Sequence, residues 1–192
     1  MRRICRAATC AVLLAVISPA RADSQASPLE RGVWLIGGTG WIYETHDIDD
    51  DSRRFVIDLN PQIGYFVIPQ LAVHANLGFA YSSTTGGFSR SIAVGPGLSY
   101  YFGGPGSRVL PYLTARTLFV WSRSGPPDDA SSVSRFRQWV AGGGVSWLVS
   151  RNAGLTAEAL YQRSVLDQLA REGGDNNTEI YGLRLGVTVF AY

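Results

Sequence analysis

The sequence has no lysine, and its only cysteines, Cys5 and Cys10, both fall in the first ten residues. Histidine occurs twice, at His46 and His74. Charged residues make up 17% of the 192, below the roughly 25% of ordinary soluble domains. Each scarcity excludes something. A chain whose thiols are confined to its first residues has no disulfide framework beyond them. Hydrophobic residues at 46%, aromatics at 11% and 22 glycines are incompatible with a disordered polar chain. Four of the 17 arginines lie in the first 22 residues, which leaves 13 against 15 acids, a net of −2. A basic nucleic-acid binder is therefore not expected.

The amino terminus reads MRRICRAATCAVLLAVISPARA. Arg2, Arg3 and Arg6 precede an apolar run ending near Ile17, and Ala20-Arg21-Ala22 supplies a small-x-small cleavage pattern. The run is shorter than the roughly 20 residues of a spanning helix. Residues 1–22 are expected to be a cleaved signal peptide and 23–192 a single domain, which removes both cysteines from the mature chain.

Beyond Arg31 the dominant period is two. Eight strands are expected, over 32–43, 53–66, 71–82, 90–102, 108–122, 135–149, 154–165 and 179–192. Connectors after the second, fourth and sixth strands are short, and those after the odd strands are longer and polar. That alternation is the layout of an all-β, eight-stranded, antiparallel up-and-down transmembrane β-barrel.

One face of the alternation is oily, and no charge interrupts it over 55–65, 71–81, 92–102 and 139–147 of the second, third, fourth and sixth strands. It includes Ile63 and Tyr65, Leu77 and Phe79, Val94 and Leu98, and Val145 and Trp147. The opposite face is small and amide-rich, as in Asp58-x-Asn60-x-Gln62, His74-x-Asn76-x-Gly78 and Gly95-x-Gly97-x-Ser99. A soluble barrel loads its water-facing surface with charge. The small polar face suits instead a narrow lumen, which eight strands leave just wide enough for side chains. The oily face is therefore expected outside, in lipid. Trp34, Trp41, Trp121, Trp139 and Trp147 all fall near strand ends, where aromatic girdles form. The first strand, VWLIGGTGWIY, is apolar in both phases and its facing stays open.

The segments PQIGYFVIPQLAVHANLGFAYS (61–82) and VGPGLSYYFG (94–103) resemble the strand–turn–strand and glycine-rich strand of small outer-membrane β-barrels of the OmpA/OmpX type. The resemblance covers about Arg31 to Tyr192 and implies a Gram-negative outer-membrane location, with both ends in the periplasm and the long loops outside the cell. It also implies recognition by the barrel-assembly machinery through a terminal aromatic residue. Here Phe190 and Tyr192 match loosely, because Tyr192 shares its phase with Thr188, Gly186 and Arg184 rather than with Leu185, Val187 and Val189. Either a bulge shifts the last residues or the signal is atypical. The peptidoglycan-binding domain of larger relatives is not expected.

Asp58, Arg116, Glu158 and Arg184 are the charges predicted inside the lumen, with Glu158–Arg184 as the preferred pair and His74 and Gln162 extending a polar network that plugs the barrel. Arg53, Arg54, Arg90, Arg123, Arg135, Arg137 and Arg163 fall near the outer rim, where guanidinium forks suit lipopolysaccharide phosphate; pairing with loop aspartates is the alternative. Asp47, Asp49 and Asp51 have a calcium-loop spacing, but the sixth position is Ser52 rather than glycine, so a solvated acidic loop is expected. Neither histidine has the His-x-Ser spacing of outer-membrane lipid A deacylases, which share this architecture. No catalytic residue, cofactor or metal is assigned. The expected function is a structural, adhesion or surface-binding role through extracellular loops. A small channel for ions or apolar solutes, or a lipid A-modifying enzyme, is the alternative.

Overall fold

The computed structural model describes residues 27–47, 52–84, 87–104, 106–126, 132–166 and 178–192. The proposed signal segment, with Cys5 and Cys10, lies outside them, as do the tips of the four longer connectors. Among the described residues every regular element is a strand: β1 (Trp34–Asp47), β2 (Ser52–Ile68), β3 (Leu71–Thr84), β4 (Gly87–Tyr101), β5 (Val109–Gly125), β6 (Ser132–Leu148), β7 (Ala153–Leu166) and β8 (Thr178–Ala191). Each strand pairs antiparallel with its sequence neighbours, and β1 pairs with β8 to close the barrel.

All eight expected strands are present, and several run further toward the long loops than the alternation indicates. β6 begins at Ser132 and pairs Ser132 with Ser124, and Val133 with Arg123. The oily/polar contrast ends where both faces become hydrophilic, yet the backbone ladder continues and the hydroxyls of Ser124 and Ser132 meet at 3.3 Å. A cross-strand ladder needs no apolar face once its peptide groups are mutually satisfied.

Closure satisfies the backbone of the wall, and its outer face is oily. Ile63, Val73, Leu77, Phe79, Ile92, Leu98, Leu113, Phe119, Val145 and Leu155 are all exposed. An apolar surface that wraps a whole barrel far exceeds the patches a soluble monomer tolerates. In hydrocarbon it costs nothing, and an edgeless sheet is one of the two structures that can cross. β1 takes the phase its sequence leaves open: Leu35 and Thr39 are buried inside while Trp34, Ile36 and Ile42 point out. The final strand has no bulge. Its pairing with β1 runs unbroken from Leu185 to Ala191, Phe190 is buried in the interior, and exposed Tyr192 lies just past the strand. The register shift in the β2–β3 ladder lies instead between Phe66 and Ile68, at a short turn.

Candidate functional site

The interior is layered along the barrel axis. Nearest the short turns, Leu35, Phe66, Tyr101, Leu110 and Phe190 are fully enclosed. Their rings form one cluster: Phe66 lies 5.6 Å from Tyr101 and 6.2 Å from Phe190, and Tyr101 lies 6.1 Å from Phe190. The segment ahead of β1 caps this end. Leu29 and Val33 are buried in the same cluster, and their carbonyls accept from the amides of Gln70 (2.8 Å) and Phe66 (3.0 Å). This apolar stopper adds to the polar residues expected to fill the lumen, which lie further along the axis. The cue was two adjacent aromatic pairs, Tyr65-Phe66 and Tyr100-Tyr101: alternation sends one ring of each pair inward.

A hydrogen-bonded belt follows. Arg116 Nη2 donates to Glu158 Oε1 at 2.8 Å and the Tyr112 hydroxyl donates to Glu158 Oε2 at 3.0 Å, so both carboxylate oxygens are engaged. The preferred sequence pair, Glu158 with Arg184, is therefore corrected. The two are register partners on β7 and β8, but Glu158 turns to β5 across β6. Glycines make that reach possible: a side chain at Gly144 would meet the Tyr112 ring at 2.8 Å. Similarly, a Cβ at Gly97 would run into the His74 ring and lie 2.9 Å from Arg116 Cβ. His74 is buried, with Nε2 2.9 Å from Ser99 Oγ and Nδ1 2.9 Å from Asn76 Nδ2. Ser99 donates onward to Thr114 at 3.0 Å. With Asn76 donating to Nδ1, Nε2 carries the proton and gives it to Ser99, the reverse of the serine-to-histidine donation a nucleophile needs. A hydroxyl ladder of Ser146, Thr156 and Thr188, at 3.0 and 2.8 Å, completes the belt.

Toward the long loops the packing loosens. Arg184 Nη2 lies 3.4 Å from Asp58 Oδ1, and Asp58 also accepts from the Asn60 amide. A cavity of about 60 Å³ has Asp58, Gln138, Gln162 and Arg184 on its polar side, and Ala93, Leu118 and Val120 on its apolar side. Trp41 is a second correction. It is not in the outer girdle: its register partner is Asp58, Arg184 sits 5.4 Å over its ring, and its ring edge lies where a side chain at Gly182 would be, at 2.8 Å. The missing side chain at Gly182 makes room for the indole inside, and a guanidinium over its face stabilises it there.

On the outer surface, Trp34, Trp121, Trp139 and Trp147 all point away from the lumen. Trp34 meets Tyr65 edge-on at 5.3 Å near the short-turn end, and Tyr161 meets Tyr181 at 5.2 Å toward the other. Level with Trp121 and Trp139 or just beyond them, exposed Arg90, Arg123, Arg135, Arg137 and Arg163 form an arc on four consecutive strands, β4 to β7, with Arg135 opposite Trp121 and Arg163 opposite Trp139. Arg90 and Arg123 are directly opposite across β4–β5. Arg137 lies 5.2 Å over the Phe119 ring and Arg90 lies 5.7 Å over that of Phe88. The side chains of Arg53, Arg54, His46 and Asp47, and the whole of Asp49 and Asp51, lie outside the described residues. Among the described residues no three His, Cys, Asp or Glu converge as a metal site would require.

No protein-family model matches the chain, and no curated protein matches it. Solved structures do match. One is the N-terminal β-barrel domain of Pseudomonas aeruginosa OprF, with 18% identity over 83% of this chain and 98% of that one and a TM-score of 0.53. Another is Neisserial surface protein A, with 17% identity, 82% and 96% coverage and a TM-score of 0.56. The chain has the fold of the small outer-membrane β-barrels. The neighbours span nearly the same closed eight-stranded body, and at such identities they carry the architecture alone.

Proposed function

We propose that this protein is an integral barrel of a Gram-negative outer membrane that acts without catalysis, holding lipopolysaccharide on its flank and presenting its outer loops for surface binding. The observation that carries this reading is the arginine arc on β4–β7, placed at the level of outward-facing Trp121 and Trp139 and just beyond it. Cations at that height meet the phosphates of the outer leaflet, and a guanidinium can grip a phosphate with two parallel hydrogen bonds. The enclosed aromatic stopper favours a sealed barrel over a channel, and the donor role of His74 favours a structural histidine over a base.

The test is lipopolysaccharide retained per barrel after mild detergent extraction, comparing the native chain with Arg135→Gln/Arg137→Gln. Loss of about 1.5–3 kcal/mol of charged hydrogen bonding predicts retention reduced at least tenfold in affinity. Unchanged co-purification overturns the proposal. Planar-bilayer recordings that show no stable unitary openings are expected from the same preparation.

A further inference from the structure

The β1–β8 ladder is the shortest in the barrel. It runs from Trp34–Ala191 to Gly40–Leu185 and stops there, whereas β1 stays paired with β2 out to Asp47 and β8 with β7 out to Thr178. The wall on either side of this seam is still oily: Ile42 on β1 and Leu183 on β8 are exposed, the latter to 75%. The ladder therefore ends inside the apolar band, where a broken sheet edge is costly unless something covers it or it lines a cavity. Directly behind the seam sit Trp41 over Gly182 and, against its ring, Arg184.

Arg184 is the second observation. Its side chain is 3% exposed, yet its Nε and Nη1 have no hydrogen-bond acceptor, and it lines the cavity of about 60 Å³. A buried guanidinium with two unanswered donors favours an anionic acceptor. The cavity is too confined for a bulky head group. It holds a few waters, at about 10–15 Å³ of such volume each, or a carboxylate.

We propose that the outer-half lumen is a receptor for a single-chain amphiphile with a carboxylate head, reached laterally between β1 and β8. The carboxylate meets Arg184 beside Gln162, and the tail leaves past Trp41 between Ile42 and Leu183 into the outer leaflet. Trp41 stands at this entrance, its ring against Gly182 and under the Arg184 guanidinium. The site is separate from the arginine arc, whose side chains point outward from β4 to β7 rather than into the lumen.

The test uses the full chain refolded in phosphatidylcholine vesicles at alkaline pH, with stearate carrying a nitroxide close to its carboxyl end as the probe. Electron paramagnetic resonance is expected to show an immobilised component, displaced by unlabelled stearate and not by stearyl alcohol. Arg184→Gln is expected to weaken binding at least tenfold, the loss of a charge-assisted hydrogen bond, while heat-modifiable gel mobility shows the barrel still folded. Should that variant fail to fold, the alcohol competition on the native chain decides alone. Displacement by alcohol as effective as by acid, or no component beyond that given by a spin-labelled phosphatidylcholine, overturns the proposal. Loss of lipopolysaccharide in the arc variant with stearate binding intact separates the two readings.

Discussion

The two halves of this barrel solve the same problem differently. At the short-turn end the lumen is filled by interlocked rings, Phe66, Tyr101 and Phe190, and capped by Leu29 and Val33. At the long-loop end it holds a loose 3.4 Å ion pair, a cavity and a ladder that stops early. The inner half excludes water by packing, which depends on volume and tolerates little change. The outer half is polar on one side and apolar on the other, so it can rearrange without creating a large void. The difference teaches that stability is concentrated at one end and adaptability at the other, the division expected where binding elements are drawn from the less stable regions of a fold.

The contrast breaks most severely if the stopper is removed. Phe190→Ala is expected to cost about 3–5 kcal/mol, the usual loss for a buried phenylalanine, read by urea unfolding in lipid vesicles. Glu158→Ala leaves Arg116 buried without its partner and is expected to cost about 3–5 kcal/mol, with part regained in Arg116→Met/Glu158→Met. Hydrogen exchange sharpens the contrast along one strand. The amides of β1 beyond Gly40 that face β8 are expected to exchange at least about tenfold faster than those within Trp34–Gly40, because open ladders lose local protection. The smallest effect belongs to Asp58→Asn. Its pair with Arg184 is long and the carboxylate part-exposed, but the guanidinium is buried, so a loss of about 1–3 kcal/mol, below that at Glu158, is expected.

Much of this was legible in the sequence because a strand shows its facing in every second residue. Leu77 and Phe79 outside, and His74, Asn76 and Gly78 inside, follow directly from alternation over an uncharged face. What escaped depends on distances between strands. Glu158 and Arg184 are neighbours by register, but the carboxylate goes to Arg116 because glycines on β6 clear the path, and no pattern within one strand encodes that. Trp41 was misplaced for the same reason: its inward site exists only because Gly182, far away in sequence, leaves the space. The aromatic stopper was readable in Tyr65-Phe66 and Tyr100-Tyr101, where neighbouring rings cannot share a face. The seam is a property of ladder length, which sequence periodicity does not carry.

The direction of the wall is the claim everything else depends on, and adjacent positions on β4 test it most directly. In a chain with Cys5 and Cys10 replaced by serine, nitroxides are placed on Leu98→Cys or on Ser99→Cys and the protein is refolded into lipid vesicles. Leu98 is exposed and Ser99 buried. The account predicts that the label at 98 collides freely with oxygen dissolved in the bilayer and hardly at all with a water-soluble nickel chelate, while the label at 99 is shielded from both. A label at 99 that meets lipid-dissolved oxygen, with 98 shielded, would mean that the oily face is turned inward, and would contradict the account.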